Sequence, residues 1–309
     1  MFLELFLIVL GLAFFEIITS IDNAIINAEV LSKMGEKARK WFLFWGLLIA
    51  VFIIRGLLPS LMLWATNPSL SITQVFFATL NSDPAIVSAI ESTAPILQML
   101  GGVFMLFLFL HWLFLEPKSY GLHGERFFHR QGIWFYAIVS ILLAVIAWFA
   151  GQKNFLLAFG GVIGSTLFFI THGFKQNAEQ KEKELMTGTT RLSDLSKLLY
   201  LEVIDASFSI DGVIGAFAFT LAIPLILIGN GIGAFIVREL TIRNINNIKK
   251  YIYLKNGAMY SIFFLGVIMI LDAFKFHIPS WVSPILTFGT VGFFFWKSHK
   301  HIKANTVSI

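Results

Sequence analysis

The chain has 309 residues, of which 57% are hydrophobic and 13% charged, with a mean hydropathy of +0.79. A soluble domain of this size needs far more charge to cover its surface, so the composition places it in a membrane. The net charge of +5 would suggest nucleic acid in a soluble protein, but the basic residues fall in short loops between apolar runs. There they orient helices, and no nucleic-acid partner is expected. The absence of cysteine excludes disulfides, thiolate nucleophiles and Cys metal sites.

The N-terminal stretch MFLELFLIVLGLAFFEIITS has no basic n-region and no small-residue cleavage site, and reads as a retained first helix. A spanning helix needs about 20 mostly apolar residues. Such runs lie near 4–31, 41–64, 96–115, 132–150, 154–173, 197–220, 221–237, 254–271 and 280–296. The fold class predicted is therefore an all-α polytopic membrane protein with about nine transmembrane helices. The segment 66–94 is too polar to span and is expected as an extracytoplasmic insertion, amphipathic or re-entrant. With the N-terminus outside, 20 of the 23 basic residues fall in cytoplasmic segments, leaving Lys153, Lys275 and the intramembrane Arg55. This bias is what the positive-inside rule demands, and it puts the C-terminus in the cytoplasm.

The chain repeats itself. Ser20-Ile21-Asp22-Asn23-Ala24-Ile25 matches Ser209-Ile210-Asp211-Gly212-Val213-Ile214. Glu16 precedes Asp22 by six residues, as Asp205 precedes Asp211. In the following helices Gly46 and Arg55 align with Gly229 and Arg238, and a weaker match sets Gly101 and Glu116 against Gly257 and Asp272. Each unit has three helices, and helix 1 corresponds to helix 6, so the two units have opposite orientations. Inverted repeats of this kind are a transporter architecture, with the site where they meet. Unit one covers about 1–116 with the insertion 66–94, and 117–196 forms linker helices and a cytoplasmic loop. Unit two covers about 197–272, and 273–309 adds a C-terminal helix and tail.

Intramembrane carboxylates are functional candidates, because each costs at least ~2.5 kcal/mol to insert. Glu16, Ser20, Asn23 and Asn27 line one face of helix 1, with Asp22 off that stripe; Glu202, Asp205 and Ser209 share a face of helix 6, with Asp211 turned away. Acids six residues apart are roughly 9 Å apart along a regular helix. Either the helices unwind at Asp22-Asn23 and Asp211-Gly212, or each half gives different ligands to a shared site. The candidate metal ligands are Glu16, Asp22, Asn23, Glu202, Asp205 and Asp211, supported by Ser20, Ser209, Arg55 and Arg238. This all-oxygen set suits hard cations such as Mn²⁺, Mg²⁺ and Ca²⁺ over Zn²⁺. The alternative is that the acids form buried structural ion pairs with Arg55 and Arg238. His111 and His172 read as helix-contact residues, and the run 175–191 as a solvated loop. No phosphate loop, nucleophile triad or dinucleotide fingerprint appears, so no enzyme activity and no organic cofactor are expected.

Glu16-xxx-Ser20-x-Asp22-Asn23 and Glu202-xx-Asp205-xxx-Ser209-x-Asp211-Gly212-Val213 resemble the paired motifs of the TerC family, in its branch catalogued as a domain of unknown function. That family sits within the LysE-type transporter superfamily, and the resemblance covers roughly 1–60 and 195–272. It implies an inner-membrane protein linked to tellurite resistance and, in some members, to manganese export, with Glu16, Asp22, Asn23, Asp205 and Asp211 at the matched positions. Many members have Ser after the second Asp, where this chain has Gly212. The function expected is secondary transport of a divalent cation as substrate, Mn²⁺ ahead of Ca²⁺, outward from the cytoplasm. The alternatives are an organic-solute exporter of the amino-acid type, or a membrane scaffold that hands metal to partners. The other partners expected are the lipid bilayer and a second copy of the chain.

Overall fold

The computed structural model describes residues 2–21, 24, 31, 34–46, 48, 49, 55–77, 84–186, 198, 201, 202, 209–243 and 250–306. Among these there is no strand. The helices are α1 (Phe2–Thr19), α2 (Glu36–Trp41) with a π-helical turn Phe42–Gly46, α3 (Leu58–Thr66), α4 (Ile72–Phe76), α5 (Pro84–Leu115) and α6 (His123–Arg130). They continue as α7 (Phe135–Lys153), α8 (Phe155–Met186), α9 (Ile223–Arg243), α10 (Leu254–Ala273) and α11 (Val282–Thr306), with residues 209–216 helical ahead of α9. Among the described residues, five stretches are long and apolar enough to cross a membrane: Phe2–Thr19, Ser88–Leu115, Gly132–Lys153, Phe155–Asn177 and Leu254–Ala273. Large apolar side chains stay exposed on their outer faces, among them Ile141, Val145, Trp148 and Phe149 of α7 and Phe155 and Phe159 of α8. Such a surface belongs in lipid, and the architecture is that of a multi-pass membrane protein.

The helices depart from the hydropathy reading in particular places. The polar insertion 66–94 was expected to end where a span begins at 96, but α5 already starts at Pro84 and runs through Pro95. The polar residues in its first turns do not break it, because their hydroxyls bond back to the helix. Ser92 Oγ donates to Ala89 O at 2.7 Å and Thr93 Oγ1 to Ile90 O at 3.2 Å. Before it, α4 is a single short helix closed by a Ser71–Gln74 capping box. Within the span expected at 41–64 the described residues are helical, with π-helical ones at 42–46, 49 and 55–57. The span expected to reach 220 ends at 216, where the chain tightens into i→i−3 bonds, Phe217 N to Ile214 O and Phe219 N to Ala216 O. The carbonyls released there are taken by other helices: Gln98 Nε2 donates to Phe217 O and Ser283 Oγ to Ala218 O.

Lipid tails are as apolar as leucine, so helix association must come from close packing. Helix α5 is the most enclosed of the five, and it packs against α10 and α8. At the α5–α10 crossing a Cβ on Gly102 would lie 2.9 Å from Gly266 O, and one on Gly266 3.2 Å from Gly102 O. At α5–α8 a Cβ on Gly160 would lie 2.8 Å from Ile96 O, and one on Gly164 would collide with Leu100 O. Helix α1 lies along α9, where a Cβ on Gly229 would lie 2.5 Å from Leu12. Leu31, Met34 and Phe42 meet Leu198 and Leu201 in a separate small cluster.

Candidate functional site

Glu16 lies on the face of α1 that packs against α9 and is 1% exposed. Its carboxylate draws three donors to one oxygen, Oε1. Arg55 Nη2 is at 2.6 Å, Arg55 Nε at 3.1 Å and Ser20 Oγ at 2.7 Å. The stripe spacing of Glu16 and Ser20 therefore delivers a contact one helical turn apart. Arg55 is 2% exposed, so this is a buried ion pair, the arrangement foreseen as the structural alternative. The second oxygen, Oε2, turns toward the other motif: it lies 2.8 Å from the point where a Cβ on Gly212 would sit. Any side chain at 212 would strike this carboxylate, which accounts for glycine after Asp211.

The second half presents a related arrangement. A Cβ on Gly46 would collide with the Glu202 carboxylate and stand 3.2 Å from Arg238 Nη2. The Arg238 guanidinium also lies over the Phe42 ring at 4.3 Å. Arg238 is half-buried there. Ser209 is buried among the helical residues 209–216. Asp22, Asn23 and Asp205 lie outside the described residues. Among the described residues no group of three or more His, Asp or Glu is placed to hold a metal ion, and Glu16, Glu202 and Asp211 are not gathered at one point.

Asp211 lines a cavity of about 50 Å³, together with Thr19 of the first motif, Glu116, Lys175, Lys255 and Met259. Lys255 Nζ pairs with Glu116 Oε2 at 2.8 Å, and His111 Nδ1 stands 3.5 Å from Glu116 Oε1. Burial alone would push the Glu116 carboxyl up. The His111 contact and the charges of Lys255 and Lys175 outweigh that, and hold it well below the usual carboxylate range. His111 and His172 face each other with ring centroids 3.9 Å apart, joining α5 to α8. At the opposite end of α5, Glu91 and Gln98 share an open bowl of about 520 Å³ with Asp272, Lys275 and His277.

Of the charged residues that line the smaller cavity, only Asp211 stands out in the sequence as a candidate ligand. Lys175 and Lys255 looked like ordinary topology charges, and Glu116 was only the partner of Asp272 in the weakest repeat match. That match was the one available signal, since both acids end up in cavities.

No curated protein and no solved structure matches the chain. A family model described as a protein of unknown function (DUF475) matches residues 21–305, which include every candidate site residue except Glu16 and Ser20. By that match the chain belongs to the DUF475 family.

Proposed function

We propose that the protein is a secondary transporter of a divalent cation, Mn²⁺ ahead of Ca²⁺, using carboxylates contributed by two inverted repeats. The observation that carries this reading is the approach of Glu16 Oε2 to Gly212, which brings the acid of one motif against the backbone of the other. Buried acids of this kind in spanning helices belong to ion pathways more often than to packing. The repeat reading draws support from reciprocal packing. Gly229 meets α1, the first motif helix, while its counterpart Gly46 meets Glu202, beside the second motif. The motif resemblance to the TerC family and the LysE-type superfamily points the same way, and adds an inner-membrane location and manganese.

An organic solute is the rival reading, since two ammonium groups and two carboxylates around one cavity would suit a zwitterion. We favour the ion, because the buried acids offer oxygen donors of the kind that suit a hard cation. With nine spans, the N-terminus outside and the interior negative, export requires coupling, and protons taken up by the same carboxylates supply it.

The test is flux in proteoliposomes with Mn²⁺, Ca²⁺, Mg²⁺ and Zn²⁺. Mn²⁺ movement should exceed Zn²⁺ movement and fall at least tenfold in Asp211→Asn. Failure of every ion to move would leave the scaffold reading in its place.

A further inference from the structure

We propose that Arg55 is a tethered counter-ion of the transport site: it holds the Glu16 carboxylate while the carrier is empty and is displaced when cargo binds. This rests on the transport reading above and adds the device by which the empty site is neutralised.

The geometry of the pair is the first argument. A structural arginine–carboxylate bridge is best made as a fork, with two parallel N–H groups meeting two oxygens. Here Nη2 at 2.6 Å, Nε at 3.1 Å and the Ser20 hydroxyl at 2.7 Å all converge on Oε1. Oε2 is left directed at Gly212, in the place that a side chain there would take. The arrangement compensates the charge of Glu16 without using the oxygen that faces the second motif.

The origin of the guanidinium is the second argument. Glu16 comes from the first motif, but Arg55 reaches it across 39 residues, from outside both motifs. Arg55 lies in the π-helical residues 55–57, a wider turn that recurs at functional sites and offers a local change of register. Both side chains are at least 97% buried. An uncompensated carboxylate there would be strongly disfavoured in low dielectric, so an empty carrier needs a resident positive charge in order to cross its conformational cycle. A divalent cation that reaches Glu16 through Oε2 and then chelates it through both oxygens cannot share Oε1 with a guanidinium. Cargo and Arg55 therefore compete, and the occupied resting pair lowers the apparent affinity for cargo.

The experiment uses the purified full chain in detergent and in liposomes. Mn²⁺ binding is measured by calorimetry, and exchange and net efflux are measured separately, for wild type, Arg55→Gln and Arg55→Lys. Arg55→Gln should bind Mn²⁺ at least tenfold more tightly and keep Mn²⁺–Mn²⁺ exchange. Its net efflux should fall at least tenfold, because the buried Glu16 carboxylate of the empty form then lacks its guanidinium partner. Arg55→Lys, which keeps the charge but not the paired N–H groups, should tighten binding by less. Unchanged or weaker binding in both variants would mean that Arg55 is a structural partner only, and the proposal would be wrong. A wild-type protein that binds none of Mn²⁺, Ca²⁺ and Mg²⁺ would remove the transport reading and this proposal together; binding without tightening removes this one alone.

Discussion

Lys118 closes the last turn of α5, where helix carbonyls have no partner of their own. Its ammonium donates to the carbonyls of Trp112 and Leu113 and stands 4.1 Å from the centre of the Trp112 ring. Burial lowers its pKa to about 8, with Glu125 and Glu116 opposing the shift and Lys255 adding to it. At pH 8 about half of this amine is neutral, against roughly 0.3% for an ordinary lysine. An amine-acylating reagent should therefore label Lys118 ahead of most other lysines at pH 8. Its rate should rise with pH to a plateau just above that value, as read by peptide mass spectrometry. A labelling rate for Lys118 no greater than that of Lys300 would contradict the shift. At this scale the sequence was informative about type and silent about partner. Glu16, Asp211 and Arg55 stand out because charge is rare in a span. Ser20 follows from helical spacing, but nothing local joins Arg55 to Glu16, and the reason for Gly212 exists only in the packed structure.

The glycines of α5, α8 and α10 decide how closely these helices lie. A methyl at Gly164 would meet the Leu100 carbonyl, which is backbone and cannot rotate away. At Gly289, in the middle of α11, nothing lies within 4 Å. Gly164→Ala should therefore lower the thermal midpoint by several degrees, as expected for ~1–3 kcal/mol of overpacking. Gly289→Ala should leave it unchanged or raise it slightly, since alanine is favoured over glycine in a helix by about 0.8–1 kcal/mol. Equal effects at the two positions would show that the α5–α8 contact is not tight. Apolar runs located the five spanning stretches but misjudged where α5 starts. Hydropathy counts Ser92 and Thr93 as polar, whereas in the helix their hydroxyls are spent on its own carbonyls. The π-helical turns at 42–46 and 55–57 have no signature in composition at all.

Helices α5 and α10 run antiparallel, so each cavity belongs to one end of the same pair. Glu116 and Lys255 meet at one end. Glu91 and Gln98 of α5 share the open bowl with Asp272 of α10 at the other. The repeat alignment had already paired Glu116 with Asp272, and an inverted repeat would put such partners at opposite faces. Between the cavities lie the Gly102–Gly266 crossing and the fully buried Met99, Val103, Met105, Leu265 and Met269. From Gln98 to Leu108, which reach the two cavities, this plug is ~15 Å thick along α5. No chain of polar atoms on these two helices crosses it, so the cavities should open to opposite sides of the membrane. The chain has no native cysteine, which makes the test direct. In sealed vesicles of known orientation, a cysteine at Ala94, in the bowl, should react with an impermeant thiol reagent only from the extracytoplasmic side. A cysteine at Lys175, beside the small cavity, should react only from the cytoplasmic side. Modification of both from one face would place both cavities in a single vestibule, and the helix pair would then lose its role as the barrier between two sides.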